Sequence, residues 1–134
     1  MDLSSLKVAT DATPLEIVNP ATGLVLTNDT GEPMRLLVIG TDSDVYLKFA
    51  NEQMNKRLKK AATNRKLTIT AEEADAEALA RTAVCVVGFE NLQLNGQPLE
   101  YSKQAVTDLL RDYPPIREQV EDFVNDRTNF LKQS

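Results

Sequence analysis

Tyr113-Pro114-Pro115 restricts the possible folds of this chain more than any other three residues. A proline pushes the residue before it out of helical geometry, so a helix arriving at Tyr113 has to stop there. At the first position of a new helix, proline has no useful N–H to lose and its fixed φ already suits the helix. The two prolines therefore join two helices at a set angle. Upstream, Ser102 can cap a helix whose Val106, Leu109, Leu110 and Tyr113 follow the i, i+3, i+4, i+7 spacing of one face. Downstream, Ile116, Val120, Phe123, Val124 and Leu131 share one face of a last helix expected to extend about 28 Å. Ahead of the corner, Asn95-Gly96 predicts a tight hairpin, because both residues tolerate positive φ.

The first third of the chain reads differently. Residues 1–13 are small and polar and are expected to form a flexible tail. Three short apolar runs follow, at Leu15–Ile17, Leu24–Leu26 and Met34–Ile39, separated by NPATG and NDTGEP. Such separators supply turns, so residues 14–40 are expected to form an antiparallel β-meander. In GTDSD, Thr41, Asp42 or Ser43 can cap a helix running from about Asp44 to Ala62, with Tyr46, Ala50, Met54 and Leu58 recurring every fourth residue. Thr70 with Glu73 is a capping-box pattern that starts a second, alanine-rich helix reaching toward Gly88, although the β-branched VCVVGF at its end suits a strand equally well. The expected fold is one α+β domain over residues 14–134. Its meander is followed by a mostly helical region, 41–134, of about four helices, with a short hairpin between the second and third.

Composition narrows the chemistry. The chain has no histidine and one cysteine, Cys85, which excludes histidine-dependent triads, Cys-His pairs and an internal disulfide. Its five glycines are scattered at turns and form no phosphate-cradling loop. No catalytic residue, cofactor or metal site is expected. Glu72 and Glu73 complement the dipole of the helix they begin. The net charge of −5 argues against nucleic acid as the main partner. One basic run, Lys56, Arg57, Lys59, Lys60, Arg65 and Lys66, reads as a helix end matched to its dipole, or else as a patch for an acidic partner or RNA. Arg127 falls eleven residues after Ile116 on the apolar stripe, where it either snorkels to water or meets another chain. Together with Ile116, Val120, Phe123, Val124, Phe130 and Leu131, it forms the candidate protein-binding set. No run of about 18 apolar residues is present, so no membrane span is expected, and the cysteine usage fits a cytosolic compartment.

The phrases LEIVNPATGLVL, GEPMRLLVIGTDSDVYLKF, VVGFENLQLNGQPLEYSKQAVTDLLRDYPPIREQVEDFV and RTNFL together resemble the tail assembly chaperones of long-tailed bacteriophages. The resemblance covers roughly Pro14 to Leu131 and consists of turns and caps, not catalytic signatures. It implies a non-enzymatic helper in the host cytoplasm that is absent from the mature virion. Such a helper binds the tape measure protein, recruits the tail tube protein and self-associates into a ring or spiral. It also implies that this chain is the shorter partner of a frameshifted longer form. The rival readings are a structural tail component retained in the virion and a small nucleic-acid-binding regulator using the basic run.

Overall fold

The computed structural model describes residues 2–9, 11–63 and 69–131. The main sheet is antiparallel, in the order β1 (Thr13–Glu16), β2 (Arg35–Val38), β3 (Val86–Glu90). Between β2 and β3 the chain runs out and back as α1 (Asp44–Thr63) and α2 (Ala71–Val84). The hairpin β4 (Gln93–Leu94) and β5 (Gln97–Pro98) follows, then α3 (Lys103–Asp112) and α4 (Pro114–Asn125). The α+β class, the four helices and the hairpin between the second and third agree with the sequence reading.

Local chemistry explains most of the boundaries. Ser43 Oγ accepts from the Tyr46 N–H at 3.3 Å and so caps α1. Thr70 accepts from Glu73 N–H (3.1 Å) and Ser102 from Ala105 N–H (2.9 Å), each satisfying one orphan donor of its helix. Asn95 (φ 53°) and Gly96 (φ 79°) make the tight β4–β5 turn. Tyr113 leaves helical geometry at φ −126°, ψ 78°, and α4 begins at the next residue. Three of the apolar positions on α3, Val106, Leu109 and Leu110, are buried. They pack with Ile17, Leu36, Val38, Val86 and Val120 in one core between the sheet and the last two helices.

Several expectations need correction. The third strand of the sheet is Val86–Glu90, and Leu24–Leu26 contributes only one isolated bridge, Val25 with Val18, while Thr27 just after it bridges Pro33. That middle run is held by Leu26 N–H donating to Ile17 C=O and Met34 N–H donating to Leu26 C=O, both at 2.8 Å. Only Leu26 of the three packs against the core, while Leu24 and Val25 stay exposed. β3 forms instead because the second edge of β2 would otherwise be left unpaired, and Val86-Val87 suits a pleated surface. For the same reason α2 stops at Val84, short of Gly88.

The last helix is also shorter than its apolar pattern suggests. It ends after twelve residues, about 18 Å. Asp126 leaves helical geometry, and its side chain accepts from the Thr128 N–H at 3.1 Å, starting the 3-10 turn Arg127–Phe130. Bonds from the Thr128 hydroxyl and amide hold the Asp126 carboxyl below its ordinary range. Arg127 therefore does not extend the α4 stripe. In the N-terminal segment expected to be flexible, Val8 bridges Leu131 and Ala9 N–H donates to Phe130 C=O at 2.6 Å. Among the described residues, no helix is long and apolar enough to cross a membrane.

Candidate functional site

Arg117 bonds Glu121 (2.7 Å) and Asp75 (3.2 Å), tying α4 to α2, and the Glu121 bond leads the effects that raise its pKa. Arg57 pairs with Glu77 across the α1–α2 hairpin, and Arg81 donates to Gln53 at 3.2 Å. Cys85 is fully buried at the end of α2, and burial pushes its thiol up to about 12. Among the described residues, no group of three acidic or sulfur side chains stands close enough to hold a metal ion.

The α1–α2 hairpin exposes several large apolar side chains among its charged ones. Neither helix contains a fully buried residue, yet α1 exposes Val45, Leu47, Met54 and Leu58. At 3.6 residues per turn these side chains fall on two flanks of the helix. The flank with Val45 and Phe49 faces a groove of about 310 Å³, completed by Val84 of α2, Val87 of β3, and Tyr101 and Thr107. Tyr101 is fixed there by edge-on packing on Phe89 (ring centroids 5.4 Å) and by donating to Val86 C=O at 3.2 Å. Lys103 at the start of α3 stands at the groove as its one charged lining side chain. The other flank carries Leu47, Met54 and Leu58.

The protein-binding set expected from sequence lies elsewhere. Val120, Val124 and Phe130 are buried, and Ile116 and Phe123 pack against the same core. Phe123 and Phe130 meet edge-on at 5.3 Å. Leu131 is half-buried in its bridge to Val8, and Arg127 is exposed and pairs with Asp42 at 2.9 Å. The apolar part of this stripe is thus largely consumed inside the chain. In the basic run, Lys56, Lys59 and Lys60 are exposed at the far end of α1, while Arg65 and Lys66 lie outside the described residues.

Sequence reasoning missed the groove because its walls come from four separate elements. The exposed flank of α1 left a readable signal, since Leu47, Met54 and Leu58 are spaced at i, i+7 and i+11. No family model, curated protein or solved structure matches the chain.

Proposed function

We propose that this chain is a non-enzymatic tail assembly chaperone of a long-tailed bacteriophage, one that keeps a long helical client soluble by covering its apolar face. The supporting observation is the open groove of Val45, Phe49, Val84, Val87 and Tyr101. Its aliphatic and aromatic walls suit the spaced apolar anchors of an amphipathic helix, the usual mode of helix-in-groove recognition. The resemblance of the turn and cap phrases names the client class: the tape measure protein, with the tail tube protein joining as it polymerises. On this reading the chain acts in the host cytoplasm, self-associates, works beside a frameshifted longer form and is left out of the finished virion.

Co-expression with the tape measure protein of the same genome tests the proposal, scored by how much of the client stays soluble. The wild-type chain should raise the soluble fraction. Val87→Asp should abolish the rescue while leaving the fold intact, because Val87 already faces solvent. An equal soluble fraction with and without the chain would overturn the reading, as would finding the chain in stoichiometric amount in purified virions.

A further inference from the structure

A second groove lies between β1, the outer strand of its sheet, and α4, and shares no lining residue with the one at Val45 and Tyr101. Its volume is about 440 Å³, and half-buried Leu15, Val18 and Phe123 supply most of its apolar lining. Its charged lining is all of one sign: Glu16, Asp122 and Asp126, each exposed. Among the described residues, no lysine or arginine lines it, and none of the three carboxylates pairs with a cation. We propose that this groove docks a basic amphipathic segment of another protein. The apolar side chains of that segment rest on Leu15, Val18 and Phe123, and its lysines or arginines meet the three carboxylates. The inference does not depend on the chaperone reading.

The walls are fixed before anything binds. Gln119 of α4 accepts from the Val18 N–H at 2.9 Å and donates to the Val18 C=O at 2.8 Å, so a side-chain amide pairs with the chain much as a neighbouring strand would. Asn129 donates to Phe123 C=O at 3.0 Å, and the Thr13 hydroxyl donates to Asn129 C=O at 3.2 Å. These bonds tie α4, the 3-10 turn and β1 together, and a preformed groove loses little freedom on binding. Charge then selects the occupant. Carboxylates that share a surface without counter-ions repel one another, and a partner bearing cations relieves that repulsion. A bare divalent ion is a poor fit, since no group of three acidic side chains among the described residues stands close enough to hold one. Spaced carboxylates call for spaced cations. Asp122 and Asp126 are four residues apart, about one helical turn, which matches two basic residues at i and i+4 of a partner helix. Lysine and arginine suit this lining because their aliphatic stems cover apolar surface while their heads reach the carboxylates. Nucleic acid and anionic lipid are repelled by the same three charges.

Two synthetic helical peptides test this on the full chain: one of Leu and Lys in amphipathic order, the other with Glu in place of every Lys. Fluorescence anisotropy should show binding of the first, weakening as salt is added, and none of the second. Glu16→Gln with Asp122→Asn should raise the dissociation constant about tenfold. Asp126 is left in place because it caps the turn that follows it. Glu52→Gln with Glu72→Gln removes the same charge from exposed sites on α1 and α2, and should change the constant less than about twofold. All four positions are exposed, so circular dichroism should be unchanged in each variant. Amide shifts on adding the Leu–Lys peptide should cluster at residues 15–20 and 119–129. Three results would overturn the inference: no binding of the Leu–Lys peptide, equal weakening by both pairs of substitutions, or shifts centred on Val45 and Tyr101.

Discussion

Removing the Phe130 ring tests whether the chain turns back at Asp126 to seal its own core. Phe130 is 5% exposed, meets Phe123 edge-on and lies against Gly40. Returning the side chain to water costs about 2.5 kcal/mol, and losing the aromatic pair about 1 kcal/mol. With the residual cavity, Phe130→Ala should destabilise the chain by about 3–5 kcal/mol. For 134 residues the unfolding entropy near the midpoint is about 0.28 kcal/mol/K, so a loss of about 4 kcal/mol lowers Tm by about 14 °C. Gly40 supplies the internal control. A Cβ built there would lie 2.8 Å from Cγ and Cδ2 of Phe130 and 3.2 Å from its Cβ, so the root of the ring has to move. Gly40→Ala alone should cost about 1–3 kcal/mol through overpacking. In the Phe130→Ala background most of that penalty should go, since only the 3.2 Å approach to the Cβ of residue 130 remains, leaving a coupling of about 1–2 kcal/mol. Thermal and urea unfolding of the four proteins measure the cycle. Strictly additive costs, or a loss below about 1 kcal/mol for Phe130→Ala, would refute the placement of this ring and with it the early end of α4.

Other substitutions separate local from tertiary effects. Ser102→Ala should cost about 1 kcal/mol in urea unfolding by removing the cap of α3, whereas Ser102→Gly should cost only a few tenths. Arg127→Ala should change stability by less than about 0.5 kcal/mol, since its pair with Asp42 is a surface contact; a large loss would mean that the residue is packed. The Cys85 thiol should resist a thiol reagent at pH 8 in the folded chain and react with the same urea midpoint as global unfolding. Its pKa is raised to about 12 from an ordinary 9.0. As pH rises past about 9, the unfolded chain loses this proton first, so stability falls between about pH 9 and 12. Cys85→Ala should remove that part of the alkaline decline.

Local chemistry was readable from the sequence wherever one or two neighbouring residues decide the outcome. The caps at Thr70 and Ser102, a cap for α1 within Thr41–Ser43, the Asn95-Gly96 turn, the Tyr113-Pro114 corner and the apolar face of α3 all follow from φ restriction, orphan N–H groups and helical period. These forces act within a few residues. The partner strand of β2, the length of α4 and the groove at Val45 and Tyr101 depended on groups distant in sequence. Val86–Glu90 became a strand because an edge about fifty residues upstream lacked a partner. The stripe from Ile116 to Phe130 was correctly apolar, but apolar spacing says only that a face will be covered, and the chain bent at Asp126 to cover much of it itself. On α1 the same kind of spacing stayed exposed, because α2 packs against a different side of the helix. Periodicity specifies which side chains seek burial, whereas the path of the whole backbone decides whether the chain itself or another one buries them.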